Sequence, residues 1–377
     1  MKNHPTRKNN LLYVLLSWLY GLVVYIRNKL FDIRILRQST YDIPIICVGN
    51  ITAGGTGKTP HIEYLIQFLS SRYRVAVLSR GYKRKKKGFI VVNESDTAED
   101  VGDEPLQIKQ KYPDTLVVVD KNRRSAIRKI LAFSEEKKPN VILLDDGFQH
   151  RYVQPSLSIL LVDSNRPIFE DRLLPAGRLR EPINAKNRAG MVIVTKCAES
   201  MQPIDYRIFS NTLDLYPYQS LFFTTLDYGM LQPVFKDFDL QELSLSDLRK
   251  IHILLIAGIA NPKPLEEKLN KYTYNLYTSY FPDHHFFTKK DISAIQKQFN
   301  EIPDDDKIIV TTEKDAVRLR ASSFLGNEIK QSIYYIPIEV AFIYKEDKKL
   351  FKQKINKHVK SYQEHHRLSK RSNQGHS

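Results

Sequence analysis

The chain has few of the residues that build disulfide frameworks or zinc sites. Its 377 residues include only two cysteines, Cys47 and Cys197, and no closely spaced cysteine pair. Cys47 lies in one apolar run and Cys197 follows another, so neither suggests a disulfide framework, and the composition indicates a reducing compartment. The chain also lacks an aromatic RNA-binding signature and heptad repeats. We therefore expect no nucleic acid among its partners.

Acidic residues are also in short supply. Lys and Arg number 58 against 42 Asp and Glu, which gives a formal net charge of +16. Such an excess is typical of proteins that bind nucleic acid, an anionic membrane or phosphorylated substrates. Without a nucleic-acid module, the last two classes are favoured. With 42% hydrophobic residues, the chain is long enough to form two domains of ordinary size.

A long uncharged run lies near the N-terminus. Residues 11–26 read LLYVLLSWLYGLVVYI and have Lys and Arg on both sides. A helix of this length spans about 24 Å, short of the ~30 Å hydrocarbon core of a bilayer. No small-residue cleavage site marks it as a signal peptide. Trp18 and its neighbouring tyrosines favour the membrane interface. The run is consistent with an anchoring or interfacial helix, a complete span, or a helix buried in the protein.

Residues 48–60, VGNITAGGTGKTP, resemble a loop that binds nucleotide phosphates, yet they break its usual pattern. That pattern is G-x-x-x-x-G-K-S/T. Gly57, Lys58 and Thr59 fit its end, but Thr52 stands where the first glycine is expected. The run IPIICV before the loop predicts a buried parallel strand, and helical spacing of apolar residues predicts a helix after it. This order aims a helix N-terminus at an anion.

Each part of the loop has a chemical task. Small residues let backbone N–H groups point inward at the phosphates. Lys58 reaches the β- and γ-phosphates, and the hydroxyl of Thr59 binds Mg²⁺. The loop therefore predicts a site for a nucleoside triphosphate. The candidate nucleotide-binding residues are Thr52, Ala53, Gly54, Gly55, Thr56, Gly57, Lys58 and Thr59.

The stretch VILLDDGFQHR, residues 141–151, adds to the nucleotide prediction. Phosphate-loop enzymes place a carboxylate that helps to hold Mg²⁺ at the end of a strand. Asp145 and Asp146 are expected to point to opposite sides of an extended strand. One would face the metal, and the other the phosphate acceptor or a neighbour of the metal. A simple capped strand end is the alternative.

Alternating strand and helix patterns run from residue 43 to about residue 195. Apolar runs such as VAVLSRGY, TLVVVD, LSILLVD and MVIVTK recur at the spacing of βα units. They predict an α/β fold of the P-loop NTPase type, with a doubly wound, mostly parallel sheet. The later runs IHILLIAGIANP and KIIVTTEKDAVRL predict a second, smaller α/β domain.

Eight motifs resemble, in order, one known family, the tetraacyldisaccharide 4′-kinases, which are the lipid A 4′-kinases of Gram-negative bacteria. The resemblance includes the N-terminal apolar run and extends to residue 318. It also accounts for Thr52, since the family resembles this chain in carrying a small hydroxyl residue there. The motifs are VGNITAGGTGKTP, LSRGYKR, GDEP, DDGFQHR, LLPAGRLREP, AGIANP, FPDHH and TTEKDAVR.

The resemblance implies a reaction. The family transfers the γ-phosphoryl group of ATP to the 4′-hydroxyl of a tetraacyldisaccharide 1-phosphate, giving lipid IVA in lipopolysaccharide biosynthesis. ATP would be a substrate and Mg²⁺ its metal ion. The partners would be the acylated disaccharide lipid and the cytoplasmic face of the bacterial inner membrane, where the N-terminal helix holds the protein peripherally or as an anchor. No obligate protein partner is evident.

The resemblance also implies roles for the catalytic residues. Lys58 would contact the phosphates, and Asp103 in GDEP would be the base for the sugar hydroxyl. His284, from the second domain, would pair with Asp103, so that catalysis requires the two domains to close. Asp146 would organise the acceptor. The bland alternatives are a helix start at Asp103 and a surface histidine at 284.

The remaining site residues divide into metal ligands and substrate contacts. Thr59, Glu104 and Asp145 would lie at the metal. Further residues would line the site or contact nucleotide or substrate from a second layer. They are Arg80, Gln149, Arg180 and Glu181.

We expect four segments. An N-terminal membrane-associated helix with basic flanks covers residues 1–35, and a P-loop kinase domain covers 36–212. The second α/β domain covers 213–352, and a disordered basic tail covers 353–377.

A rival function is a membrane-associated P-loop ATPase switch that acts on a protein partner. Such ATPases usually carry a lysine immediately before the paired glycines, where this chain has Ala53. A soluble small-molecule kinase is a second rival, but it leaves the apolar run of residues 11–26 unexplained.

Overall fold

The computed structural model describes residues 10–198 and 200–374, with side chains up to residue 365. The basic flank predicted before residue 10 lies outside the described residues. The α-helices are α1 (Leu11–Asp32), α2 (Lys58–Ser70), α3 (Ala98–Val101), α4 (Asp103–Lys111), α5 (Arg123–Leu131), α6 (Pro203–Leu213), α7 (Lys263–Leu269), α8 (Lys289–Asn300), α9 (Glu313–Arg320), α10 (Asn327–Lys330) and α11 (Lys345–Gln374).

The strands and short 3₁₀ helices complete the description. The strands are β1 (Ile45–Gly49), β2 (Val75–Ser79), β3 (Ile90–Val91), β4 (Leu116–Val119), β5 (Val141–Asp145), β6 (Leu157–Asp163), β7 (Met191–Thr195), β8 (Ser220–Tyr228), β9 (Gln232–Pro233), β10 (His252–Ala257), β11 (Leu276–Tyr280), β12 (Lys307–Thr312), β13 (Ile333–Ile336) and β14 (Ile338–Phe342). The 3₁₀ helices span Ile168–Glu170, Ile183–Arg188 and Leu245–Lys250.

The larger sheet has nine strands in the order β14-β8-β7-β6-β1-β5-β2-β4-β3. All neighbours are parallel except β14 with β8 and β3 with β4, at the two edges. β1, β2, β5 and β7 are buried along their whole length, as expected for strands with helices on both faces. The predicted α/β fold with a mostly parallel sheet is confirmed.

The centre of this sheet positions the phosphate loop. Val48 of β1 pairs with Asp145 of β5 on one side and with Ile159 of β6 on the other. The carboxyl ends of β1 and β5 therefore lie next to each other. The loop that follows β1 and the carboxylates that follow β5 meet at this edge, where ligands bind in open α/β sheets.

The smaller sheet has the order β11-β10-β12-β13-β9, and only β9 is antiparallel to its neighbour. The predicted domain boundaries were wrong. β8 precedes this sheet in the chain and β14 follows it, yet the two pair with each other in the larger sheet. Where the chain leaves and returns, the Gly229 N–H donates to the Pro337 carbonyl at 3.0 Å. The second domain is therefore an insertion between β8 and β14.

The predicted disordered tail is also corrected, because α11 covers residues 345–374. Phe351, Ile355 and Val359 recur every four residues and lie buried in the core of the larger sheet, beside Ile62 and Leu65 of α2. This stripe is sparse within a strongly charged segment, which made the segment look polar throughout. Residues 375–377 of the predicted tail lie outside the described residues.

α1 lies against the larger domain along one stripe and exposes the rest of its surface. The packed residues are Ser17, Tyr20, Val24, Arg27, Asn28 and Phe31. Ser17 and Tyr20 donate to the backbone carbonyls of Leu173 and Arg180, at 2.7 and 2.8 Å. Since most of its large apolar side chains remain exposed, a helix buried in the protein is excluded. The helix has 22 residues, with a composition apolar enough for membrane contact.

Candidate active site

The predicted phosphate loop joins β1 to α2. The helix begins at Lys58, and Gly57 before it has φ = 82°, while Gly54 has φ = 118°. Residues other than glycine rarely adopt this left-handed backbone conformation, so both positions favour glycine. A methyl group added to Gly55 would meet nothing within 4 Å, and this open space leaves room for a phosphate chain. Thr52, which departs from the usual pattern, is a buried residue of the loop.

Hydrogen bonds from several segments hold the loop in place. The Asn50 side chain donates to the Thr56 hydroxyl at 2.8 Å. Gln149, predicted to contact nucleotide or substrate, instead donates to the Asn50 carbonyl at 2.7 Å. The Ala53 N–H donates to the Arg178 carbonyl at 2.7 Å. In this structure Gln149 therefore holds the first residue of the loop through its backbone carbonyl.

Two adjacent carboxylates lie at the end of β5, beside the loop. Asp145 is buried and accepts a hydrogen bond from the Ser79 hydroxyl at 2.9 Å. Burial and the neighbouring charge of Asp146 raise the pKa of Asp145 to about 6. Asp146 does not continue the strand as predicted, because its φ of 46° turns the backbone into the left-handed region. Asp145 is thus a buried carboxyl group whose ionisation is disfavoured.

Cations surround Asp146 on two sides. Lys58 Nζ lies 3.7 Å from one of its oxygens, and Arg180 Nη1 lies 3.3 Å from the other. Burial disfavours the charged form of Asp146, but the charges of Lys58 and Arg180 outweigh it and lower the pKa. The predicted residues 58, 146 and 180 thus meet beside the loop.

Arg123, at the start of α5, was missed by the sequence interpretation. Its side chain is 4% exposed, and burial lowers the pKa of the guanidinium despite the nearby charge of Asp145. Its Nε–H is buried without a hydrogen-bond partner in the part of the chain that the structure describes. In sequence it stands in the basic run KNRR, which is typical of a solvated turn. Arg80, which the sequence did indicate, is exposed near the end of β2.

The predicted pair across the two domains is present. His284 Nδ1 lies 2.7 Å from Asp103 Oδ2, although the two residues are 181 positions apart. Asp103 is the first residue of α4, after Gly102 with φ = 98°. His284 has φ = 64°, a left-handed backbone conformation that is uncommon outside glycine. Burial disfavours ionisation of Asp103, but hydrogen bonds from His284 and Arg318 hold its pKa well below the usual range.

Helix α9 contributes side chains to which the sequence interpretation gave no role. Lys314 Nζ lies 2.8 Å from Glu104 Oε1 and 3.3 Å from His284 Nε2. Glu104, predicted to lie at a metal, is therefore paired with a lysine of the second domain. Burial opposes its ionisation, but Lys314 lowers the pKa of Glu104 overall. Arg318 contacts Asp103 through two of its nitrogens.

Glu181 belongs to the contact with α1. It is 1% exposed and accepts hydrogen bonds from Asn28 at 3.1 Å and Arg188 at 2.8 Å. The sequence predicted that it lines the site beside Arg180. The structure gives it a scaffold position instead, because α1 covers it.

Metal binding by the protein alone has little support. Within residues 10–198 and 200–374, no group of three His, Cys, Asp or Glu side chains could hold a metal ion. A metal at the loop would need oxygens of a bound phosphate among its ligands.

Comparisons with known proteins agree with this geometry. Residues 9–360 match the sequence model of the family described as LpxK, tetraacyldisaccharide-1-P 4′-kinase. The tetraacyldisaccharide 4′-kinase of Parabacteroides distasonis is 49% identical over 359 residues, which is 95% of this chain and 97% of that protein. The protein of the same name from Flavobacterium johnsoniae is 44% identical, over 86% of this chain and 90% of its own length. A crystal structure of LpxK from Aquifex aeolicus in complex with ATP aligns with a TM-score of 0.71 at 28% identity, covering 92% of this chain and 98% of that one.

Proposed function

Since this chain belongs to the tetraacyldisaccharide-1-P 4′-kinase family, we propose that it transfers the γ-phosphoryl group of ATP to the 4′-hydroxyl of a tetraacylated disaccharide 1-phosphate in lipid A biosynthesis. The observation that carries the proposal is the meeting of three features at one sheet edge. They are the phosphate loop, the carboxylates at the end of β5, and the Asp103–His284 pair, whose neighbour Glu104 acts electrostatically on Asp145.

The loop binds the triphosphate. Backbone N–H groups of residues 52–57 cradle the phosphates, and Lys58 stabilises the negative charge that develops during transfer. Arg123 and Arg180 add positive charge beside the same edge. Because phosphoryl transfer needs little covalent chemistry from the protein, positioning and charge supply most of the rate.

The donor set at the loop suits Mg²⁺. The Thr59 hydroxyl and the Asp145 carboxylate are hard oxygen donors, and Mg²⁺ commonly binds one or two carboxylates together with substrate phosphates and waters. The raised pKa of Asp145 also fits, since a cation would offset the cost of its buried charge. When bound, the ion would neutralise charge on the β- and γ-phosphate oxygens.

The Asp103–His284 pair accepts the proton of the acceptor hydroxyl. Asp103 alone is a weak base here, because its pKa is well below the usual range. The imidazole of His284 supplies a second proton acceptor within the same hydrogen-bonded unit. Interacting groups of this kind titrate as a pair, so we assign the proton to the pair as a whole.

We place the enzyme on the cytoplasmic face of the bacterial inner membrane, held there by α1. The contacts of α1 with the protein recur from Ser17 to Phe31, and the opposite face exposes Leu12, Trp18 and Leu22. A helix docked lengthwise suits a position in the plane of the interface, where apolar side chains enter the lipid and tryptophan favours the headgroup region. This position would bring the site to an acylated substrate.

The test measures ATP turnover by the purified protein under three conditions. They are detergent with a tetraacyldisaccharide 1-phosphate, detergent alone, and lipid vesicles without the disaccharide. Kinase function predicts turnover that depends on the disaccharide. Turnover that is equally fast with vesicles alone would support a membrane-associated ATPase switch and would contradict the proposal.

A further inference from the structure

Helix α9 of the inserted domain lies beside α4, the helix that begins with Asp103. Three ion pairs join the two helices across the domain boundary. Lys111 of α4 meets Glu313 at 2.8 Å, Glu104 meets Lys314 at 2.8 Å, and Asp103 meets Arg318 at 2.6 Å. The pairs span α4 from its first residue to its last.

The contact between Arg318 and Asp103 is bidentate. Arg318 Nε lies 3.1 Å from one oxygen of Asp103, and Nη2 lies 2.6 Å from the other. The third nitrogen, Nη1, donates to Asp315 at 2.8 Å. Asp315 is itself held by the Thr312 hydroxyl at 2.7 Å and the Gly258 N–H at 2.8 Å. The guanidinium therefore has a fixed orientation, with its side chain almost fully buried.

We infer that Arg318 is a positioning residue of the phosphoryl-transfer reaction, which holds the Asp103 carboxylate in the orientation that lets it act with His284. The inference rests on the proposed function of the Asp103–His284 pair. A planar guanidinium matches the two oxygens of a carboxylate, and this fork fixes the carboxylate plane as well as its place. With that plane fixed, Asp103 Oδ2 also faces His284 Nδ1.

The charges around the pair give Arg318 a second effect. Asp103 faces His284, Arg318, Lys314 and its neighbour Glu104. His284 faces Arg318 Nη2 at 3.4 Å, Lys314 Nζ at 3.3 Å, the Tyr82 ring and Asp283 at 3.9 Å. An adjacent arginine typically lowers a carboxyl pKa by about 1–3 units. Loss of the arginine charge would raise the pKa of Asp103, so the pair would begin to take up protons at a higher pH.

The same contacts also hold the two domains together. Arg318 joins Asp103 over 215 residues of sequence, and both side chains are buried. Arg318 keeps the inserted domain docked where His284 can reach α4.

The experiment compares Arg318→Gln with Arg320→Gln in the full chain. Arg320 lies on the same helix and also bonds α4, through Gln110 at 2.9 Å, but it does not contact Asp103. We expect Arg318→Gln to lower kcat at least tenfold with the KM for ATP within about twofold of wild type. The acidic limb of its kcat/KM profile should move upward by about 1–3 pH units. Arg320→Gln should keep kcat within about threefold and leave the acidic limb in place.

Two further variants guard against misfolding. Arg318→Lys keeps the charge but loses the fork, so kcat should fall while the acidic limb stays in place. Asp103→Asn combined with Arg318→Gln should be no slower than Asp103→Asn alone, because the arginine acts through the carboxylate. Wild-type kcat in Arg318→Lys, or equal losses in the glutamine variants of 318 and 320, would overturn the inference. If the wild-type protein does not phosphorylate the disaccharide, that result refutes the proposed function instead.

Discussion

The phosphate loop and the Asp103–His284 cluster solve the same problem, the placement of charge, in two ways. The loop uses eight consecutive residues between β1 and α2, with left-handed glycines that open the backbone toward a ligand. The cluster joins α4 to a turn and a helix of the inserted domain, at separations of 181 and 215 residues. One half of the site is built by backbone conformation and the other by buried side-chain contacts between domains.

This difference has a physical consequence. The loop and the segments that bond it, at Gln149 and Arg178, belong to the larger domain, whereas the cluster depends on how the two domains dock. We therefore expect substitutions in the loop to affect nucleotide chemistry directly. Substitutions in the cluster should couple to one another and to the docking of α9 on α4.

The largest effect is expected for Lys58→Ala. The lysine stabilises charge on the transferring phosphoryl group, and a cation in such a position, the arginine finger, is worth ~10³–10⁵-fold in kcat. Steady-state kinetics at saturating ATP measure the loss. Lys87→Ala, in an exposed basic loop, is the matched control and should retain activity. Near-normal turnover by Lys58→Ala would remove the loop from the mechanism.

The second prediction concerns Asp103→Asn and His284→Ala. Each should lower kcat within ~10²–10⁴-fold, the range for loss of a general base, with little change in nucleotide affinity. The double variant should be much less damaged than the product of the two losses, because residues that act as a unit are not additive. Kinetics of all three variants check this, and fully additive losses would separate the two residues.

The third prediction tests α11 as part of the core. Ile355→Ala removes a fully buried side chain beneath the larger sheet and should lower the free energy of unfolding by about 2–5 kcal/mol. Lys357→Ala, on the exposed face of the same helix, should change it by less than ~0.5 kcal/mol. Chemical denaturation measures both variants. Equal free energies of unfolding for the two variants would contradict a core role for α11.

The smallest expected effect is a gain of stability. The folded-state pKa of Asp145 is raised from 3.8 to about 6. Its contribution therefore lowers the free energy of unfolding as the pH rises from about 4 to 6, and the loss is complete above pH 6. Asp145→Asn should therefore raise the free energy of unfolding at pH 8, by up to about 3 kcal/mol without nucleotide. The gain should vanish near pH 4. Denaturation at both pH values tests this, and a variant less stable than wild type at pH 8 would refute it.

Much of the loop half of the site could be predicted from the sequence. The strand, the glycines and Lys58 lie within one short stretch whose order alone predicts strand, loop and helix. The pairing of Asp103 with His284 came from the family resemblance, since neither residue indicates the other across 181 positions. Arg318 was missed, because its role depends on the docking of two helices that no local pattern encodes.

The errors in the fold have similar causes. β14 completes the larger sheet only after the chain has left it for the inserted domain, and a boundary read along the chain does not show such a return. In α11, three buried apolar residues are spaced widely among lysines, so composition masked the stripe. For α1, the apolar run was clear, but the stripe from Ser17 to Phe31 that docks it required the partner surface.

The most direct test of the central claim follows the phosphate itself. The protein is incubated with γ-labelled ATP and a tetraacyldisaccharide 1-phosphate in detergent, with Lys58→Ala in parallel, and the lipid is recovered and its phosphorylated position is mapped. Our account predicts one labelled phosphate on the 4′-hydroxyl of the lipid with the wild-type protein and none with Lys58→Ala. Hydrolysis of ATP without label in the lipid, or label at another position, would contradict it.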